Sequence, residues 1–324
     1  MKMKILVAPL NWGLGHASRC VPLVQRFLDE GHEVILGGDG DSLTLLRKHF
    51  PTLRYVYLAP LRLRYSAGSR QVWAMVKALP RLMAWCVKDH ALLKAVLREE
   101  QIDRVVSDNR FGLYAKQTEC VYITHQLHIF LPKGWRWAER IAARLHARAY
   151  AHFNKVWVPD YEAMESSLAG ALSHTDVPGT KHCTPVEYIG PLSRFYRNSP
   201  GTPREPSYQV VAVLSGLEPQ RTLLEQQIRA RYQDRDEQVL IVQGLPGRPN
   251  TRIKRGNITM VPAMGDEELA KVLTETPHIM VRSGYSTIMD LDALGVMQKA
   301  EWIPTPGQPE QEYLANWIKQ KTLF

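Results

Sequence analysis

The stretch HIMVRSGYSTIMDLDALGVMQKAEWIPTPGQPEQ, residues 278–311, alternates short apolar runs with helical patterns. Its apolar run 278–281 predicts a strand, 287–294 a helix and 301–304 a second strand, with Glu310 opening a further helix to 319. Strand, helix, strand and helix in such close succession is the signature of βαβ units around a parallel sheet. Working back, the same rhythm gives strands at 209–214, 238–242 and 258–261 and helices at 219–232 and 266–274, the first opened by its proline. Residues 198–206, rich in Pro, Gly and Ser, interrupt it. Before that break the rhythm runs once more: strands at 4–9, 33–36, 53–58, 104–107, 121–124 and 155–159, helices at 17–30, 71–100 and 135–152, and an extended segment at 186–194. The expectation is an α/β protein of two Rossmann-like domains, 1–195 and 208–324, joined by a linker at 196–207. Ligands of such sheets bind at the carboxyl ends of the strands, so the two sheets are expected to face a cleft between the domains.

The chain has 324 residues, 45% hydrophobic and 23% charged, a soluble globular composition long enough for two cores. The opening MKMKILVAPL has too short an apolar run for a secretory leader and reads as a buried first strand. No stretch approaches the ~20 apolar residues of a membrane span. Cys20, Cys86, Cys120 and Cys183 lie far apart, which suits a reducing cytoplasm and gives no zinc or disulfide framework. The net charge of +9 lies within residues 61–160, which hold 17 Lys/Arg against 8 Asp/Glu. That field suits an anionic partner (membrane surface, charged lipid or nucleic acid) or an ordinary wet basic surface. Arg136, Arg140, Arg144 and Arg148 recur every fourth residue beside a Trp137, Ile141, Leu145 stripe, and Trp73, Trp85 and Trp135 share the region. A basic amphipathic surface with tryptophan suits an anionic membrane interface, and an ordinary crossover helix with a wet side carries the same pattern.

Several motifs sit where strands end. Arg282-Ser283-Gly284-Tyr285-Ser286-Thr287 leads into a helix whose N–H groups and dipole suit a diphosphate, with Asp290 in its first turn for ribose hydroxyls. Thr287-x-x-Asp290 equally fits a helix-capping pattern. Gln308, Glu310 and Gln311 follow a rigid Pro-Gly loop and supply the donors and acceptors that vicinal sugar hydroxyls need. In the first half, Asn11-Trp12-Gly13-Leu14-Gly15-His16 joins the first strand to the first helix and sets a histidine for proton transfer. Asp108, ending another strand of that half, is expected to reach His16 as the carboxylate that orients a general base, or else to close a turn. Asp39 stands where a ribose contact of a nicotinamide enzyme would be. Asp39-Gly40-Asp41 resembles a metal-binding acidic pair but reads as a plain turn, so no metal and no cofactor are expected.

RSGYSTIMD (282–290) and PTPGQPEQEY (304–313) make the sequence resemble glycosyltransferase family 28, of the GT-B superfamily. The familiar member of that family adds N-acetylglucosamine to a peptidoglycan lipid precursor. The likeness extends to the loop ending at His16, the segment Ile123-Thr124-His125-Gln126 and the IGPLSR segment at 189–194. It implies that Asp290 holds the ribose, that Glu310 and Gln311 lie by the donor sugar, and that Ser283 to Thr287 flank the diphosphate. Ser215 and Gly216 would form the glycine/serine turn after the first strand of the second domain. Gly13, Gly15, His125 and Gln126 would lie on the acceptor side, and His16 with Asp108 is similar to the His–Asp pair of related family 1 enzymes. Two departures stand out: NWGLGH is poorer in glycine than the family's loop, and the chain ends soon after the helix at Glu310, where such enzymes continue.

The expected activity is therefore inverting transfer of a hexose or N-acetylhexosamine from a nucleotide diphosphate sugar, UDP by family, to an acceptor hydroxyl. The acceptor is expected to be lipid-linked or a glycan, met at the inner face of the cytoplasmic membrane in cell-envelope glycan synthesis, with no nucleic-acid partner. His16 would take the acceptor proton, while the Thr287 helix terminus, Arg282 and N–H groups near Ser215 would stabilise the leaving diphosphate. Hydrolysis of a UDP-sugar and a non-catalytic sugar-nucleotide-binding or membrane-scaffold subunit are the alternatives.

Overall fold

The computed structural model describes residues 2–61, 71–174, 184–195, 207–216, 218–249 and 251–322, with the backbone alone for 71–76 and 322. It divides into two compact units, Met1–Leu192 and Ser193–Phe324. The division falls three residues before the expected 195. Ser193 and Arg194 bond to Asp290, and Phe195 is buried in the second unit's core. The expected linker at 196–207 lies outside the described residues except for Ser207.

The first domain runs β1 (Lys4–Pro9), α1 (Gly15–Asp29), β2 (Glu33–Gly38), α2 (Gly40–His49), β3 (Tyr55–Tyr57), α3 (Gln71–Glu99), β4 (Arg104–Asp108) and β5 (Glu119–Ile123). A 3₁₀ segment (Lys133–Ala138), α4 (Glu139–Tyr150), β6 (Lys155–Val158) and β7 (Val186–Tyr188) complete it. The sheet order is β3-β2-β1-β4-β5-β6-β7, every pair parallel. Alternation along the strands sorts the core into two layers. Ile5, Val7, Val34 and Leu36 pack with α1 and α2 residues such as Cys20, Val24 and Leu46. Leu6, Ala8 and Ile35 pack on the other face with Leu93 and Val96 of α3 and Tyr150 of α4. The chain reverses its direction of travel across the sheet between β1 and β4, so the loops after these two strands flank the crevice where such sheets hold ligands.

The second domain runs β8 (Val210–Val213), α5 (Gln220–Tyr232), β9 (Val239–Val242), β10 (Ile253–Arg255), β11 (Ile258–Val261) and α6 (Asp266–Glu275). It continues through β12 (His278–Val281), α7 (Tyr285–Ala293), β13 (Ala300–Trp302) and α8 (Pro309–Thr322). The order is β10-β11-β9-β8-β12-β13, parallel except for the β10–β11 pair. Without β10 the winding repeats that of the first five strands of the other sheet, and its reversal lies between β8 and β12. Val211, Leu240, Ile279 and Val281 pack with α6 and α7, while Val210, Ala212, Ile241 and Met280 pack with Leu224, Ile228 and Tyr232 of α5.

Two elements differ from expectation in ways that bear on function. Residues 40–49 form α2 rather than a turn, because Leu43, Leu45 and Leu46 bury one side of it. Helix α7 starts at Tyr285, with Gly284 in the extended N-cap position, rather than at Thr287. Thr287 is thus the third helical residue, which removes the capping pattern, and Asp290 sits in the second turn. No helix among the described residues is long and apolar enough to cross a membrane.

Candidate functional site

In the first domain the loop after β1 and the end of β4 bring His16 and Asp108 together across 92 residues of sequence. Adjacent parallel pairing sets Pro9 beside Asp108, and Leu10 N–H donates to the Asp108 carbonyl at 2.9 Å, so the loop leaves the sheet next to that carboxylate. Gly13, at φ +78°, turns the loop back into α1 with left-handed backbone that glycine adopts without strain. His16 follows as the second residue of α1, with Nδ1 2.8 Å from Asp108 Oδ1.

Asp108 is fully buried and has a second partner that the motif reading missed. Arg19, one turn beyond His16, donates from Nε to Asp108 Oδ2 at 2.5 Å and from Nη2 to Oδ1. Nη2 also lies 2.9 Å from His16 Nδ1, and Nη1 lies 3.3 Å from Nδ1 of the buried His125. Burial on its own would push the Asp108 carboxyl up, but the charges and hydrogen bonds of Arg19 and His16 outweigh it and hold it well below the usual carboxylate range. Two imidazoles, one guanidinium and one carboxylate therefore share a single buried corner at the winding reversal of the sheet. Gln126 follows His125 in the same loop, with its N–H on the Thr124 hydroxyl at 3.1 Å.

Asp39 is engaged elsewhere. Its Oδ1 accepts from Arg110 Nη1 at 2.9 Å and its Oδ2 from Asn11 Nδ2 at 3.0 Å. Arg110, fully buried, also forks onto Asp89 of α3 at 2.8 and 2.9 Å and donates to the Ala59 carbonyl. Asn11 additionally accepts from the Ser42 N–H, and a side chain at Gly40 would collide with it. Both Asp39 oxygens are thus engaged, Oδ2 on the loop that leads to His16 and Oδ1 on Arg110 after β4, which removes the ribose reading, while Asp41 lies exposed on α2. Among the described residues no group of three or more His, Cys, Asp or Glu is arranged to hold a metal ion.

In the second domain the motif residues gather at the reversal between β8 and β12. Ser215 and Gly216, the latter at φ +98°, follow β8, and Arg282, Ser283 and Gly284 follow β12, whose last residue Val281 pairs with Val213 at the end of β8. The N–H groups of Tyr285, Ser286 and Thr287 lie ahead of the first intrahelical bond of α7, Ile288 N–H to the Gly284 carbonyl. The adjacent loop after β13 is tied to this turn: Ser283 Oγ donates to the Gln311 carbonyl at 2.8 Å, and Gln311 Oε1 accepts from Thr305 N–H at 2.9 Å. Gln308 precedes α8, and Glu310 and Gln311 lie in its first turn, all half-buried.

Two of these residues occupy positions the motif did not suggest. Arg282 is 3% exposed, and its guanidinium donates to the carbonyls of Pro304 (2.9 Å) and Gln220 (3.0 Å). It is a strut between the loop after β13 and the start of α5 rather than a surface cation for phosphate, and burial lowers its pKa. Asp290 is buried too, accepting from Ser193 Oγ at 2.7 Å with Arg194 Nε at 3.4 Å. Burial raises its carboxyl, with Arg194 and Ser193 partly offsetting the effect.

The expected basic face is exposed: Arg136, Arg140, Arg144 and Arg148 all face solvent, as do Trp137 (69%), Ile141 and Leu145, while Ala143, His146 and Tyr150 turn inward. Trp85 does not belong to it. It is 4% exposed and donates from Nε1 to the Ala59 carbonyl, whereas the side chain of Trp73 lies outside the described residues.

No family model matches the sequence. A protein of Methanosarcina acetivorans described as an uncharacterized glycosyltransferase is 24% identical over 98% of this chain and 84% of its own length. A second from that organism, described the same way, is 32% identical over 49% of this chain and 42% of its own. Among solved structures, the spinosyn forosaminyltransferase SpnP superposes with a TM-score of 0.56 at 14% identity, covering 100% of this chain and 95% of the other. Arabidopsis thaliana UGT89C1, solved with UDP-L-rhamnose, gives 0.55 at 10% identity over 100% and 92%. The fold is GT-B: two Rossmann-like domains built on parallel sheets, as in these glycosyltransferases.

Proposed function

We propose that the protein is a glycosyltransferase of the family 28 type, moving a hexose or N-acetylhexosamine from a UDP-sugar to an acceptor hydroxyl with inversion. The observation that carries this reading is a coincidence of chemistry and topology. In each domain the motif residues lie at the winding reversal of the sheet, a base with its carboxylate in the first and a helix N-terminus with serine and glycine in the second. The description of a relative that matches 98% of this chain as a glycosyltransferase and the UDP-L-rhamnose bound by UGT89C1 support the donor class.

In this reaction the acceptor oxygen bonds to the anomeric carbon as the bond from that carbon to the diphosphate breaks. The acceptor proton passes to His16 Nε2, and Asp108 stabilises the imidazolium that forms. The departing UDP carries its charge to the α7 N-terminus and the backbone around Ser215 and Gly216, a dipole already oriented for it. Asp290 meets the ribose, and Glu310 and Gln311 meet the sugar. No step in this scheme calls for a metal.

For the acceptor we propose a lipid-linked molecule reached at an anionic membrane. Helices α3 and α4 belong to one layer of the first domain, and both turn apolar and basic residues outward. Leu79, Met83 and Val87 are exposed on α3 with Arg81 and Lys88, as Trp137, Ile141 and Leu145 are on α4 and its lead-in with the four arginines. Apolar side chains ringed by cations suit an anionic interface. Incubation with labelled UDP-sugars, with and without membrane lipid extract, tests the whole reading. Labelled glycolipid is expected; free sugar alone would indicate hydrolysis, and recovery of intact donor under both conditions would leave only binding.

A further inference from the structure

Arg19 has only donors, so a ring nitrogen it faces must either receive one on a lone pair or yield it to a stronger acceptor. His125 Nδ1, 3.3 Å from Arg19 Nη1, receives it, which puts the His125 hydrogen on Nε2. His16 Nδ1 is in the other situation. It lies 2.8 Å from Asp108 Oδ1 and 2.9 Å from an Arg19 Nη2 that already donates to that same oxygen. A lone pair there would be pressed against a carboxylate in a buried site, so Nδ1 carries the hydrogen and donates to Oδ1. The lone pair of His16 is then on Nε2.

We propose that Arg19 is a positioning residue that gives the two histidines opposite tautomers, making His16 Nε2 the proton acceptor and His125 Nε2 a hydrogen-bond donor. One guanidinium achieves this by holding Asp108 ionised and aimed at His16 while occupying the Nδ1 lone pair of His125. Two imidazoles in one corner are otherwise chemically equivalent candidates for the base, and Arg19 removes that equivalence. The catalytic consequence rests on the transferase reading, but the tautomers do not.

The test is a long-range ¹H–¹⁵N spectrum of the full chain labelled with ¹⁵N-histidine at neutral pH, assigned with His16→Gln and His125→Gln. The expected result is a hydrogen on Nδ1 of His16 and on Nε2 of His125. Arg19→Gln, whose amide accepts as well as donates, is expected to release His125 into a tautomer mixture. The same variant is expected to lower kcat at least ~10-fold, with KM for the UDP-sugar within ~2-fold and partial rescue by guanidinium ion. A wild-type His125 protonated on Nδ1 would overturn the proposal, as would an Arg19→Gln protein with both tautomers and kcat unchanged. The wild-type spectrum decides even if the variant does not fold. It needs no substrate, so correct tautomers in a protein without transfer activity would count against the proposed function alone.

Discussion

Replacing Asp108 by Asn separates what that carboxylate does for the fold from what it does for the chemistry. The side chain is fully buried and accepts from His16, from two nitrogens of Arg19 and, at 3.7 Å, from the Cys20 thiol. Asn keeps the shape but offers one oxygen, and its amide hydrogens meet donors where the second oxygen stood. Arg19, 2% exposed, is left as a buried cation without its counter-charge. Breaking a buried pair from one side costs about 3–5 kcal/mol, a large part of the 5–15 kcal/mol that holds a domain together. For a first domain of this size, at roughly 2–4 °C per kcal/mol, its melting temperature should fall by about 6–20 °C. Turnover should fall about 100- to 10,000-fold, because His16 loses the partner that sets its tautomer. UDP affinity should not change, since the proposed donor residues belong to the other domain. Calorimetry, transfer assays and UDP titration read the three effects separately. A variant whose first domain melts within about 2 °C of wild type while turnover drops less than 10-fold would refute the reasoning.

The same carboxylate predicts an acid dependence. Its folded pKa lies below the ~3.9 of an unfolded Asp, so its contribution is complete above about pH 4 and lost as the pH falls through the folded value. The urea midpoint of the first domain should fall with acid more for wild type than for Asp108→Asn; parallel profiles would exclude Asp108 as the source. Asp290→Asn should weaken UDP binding about 10- to 100-fold, the loss of one charge-assisted contact, and unchanged affinity in calorimetry would reduce Asp290 to an anchor for Ser193 and Arg194. Binding to vesicles should require anionic lipid and weaken with salt. Reversing Arg140, Arg144 and Arg148 to Glu removes about 1 kcal/mol per cation, on the order of 100-fold in partitioning, and equal sedimentation with neutral vesicles would point to a soluble acceptor.

Local signals carried most of the fold. The buried parallel strands were legible because an unbroken apolar run such as KILVAP has only one buried extended reading, and β1, β11 and β12 run between the expected residues. Short edge strands carry less: β7 lies at the start of the expected extended segment 186–194, whereas the IKR of β10 has little apolar signal and owes its conformation to its neighbour β11. Helix α2 hid behind Asp39-Gly40-Asp41, whose turn chemistry masked the leucines after it. Thr287 drew the start of α7 two residues late because a hydroxyl is the better capping residue, yet an extended glycine holds that position. Arg19 shows a different limit. It lies on the inward side of α1 with Cys20 and Leu23, an odd place for an arginine, and that oddity was the available signal. Its counter-charge comes from a strand 89 residues away, which periodicity does not encode. Trp85 likewise shares its neighbourhood in sequence with surface residues, but its buried indole donates to the Ala59 carbonyl, a partner 26 residues away.

The central position of β1 also sets an order of events during synthesis. One edge of β1 pairs with β2, whose residues follow soon after, but the other waits for β4, with Ile5 opposite Arg104. At 5–20 residues per second the ribosome needs roughly 5–20 s to deliver that partner. Until then that edge of β1 has no partner, and His16 and Arg19 have no Asp108 to meet. Docking of β4 then pairs the second edge of β1 and brings Asp108 to His16 and Arg19, and His125 joins them only after β5, so the first domain gains its central pairing and its buried corner late.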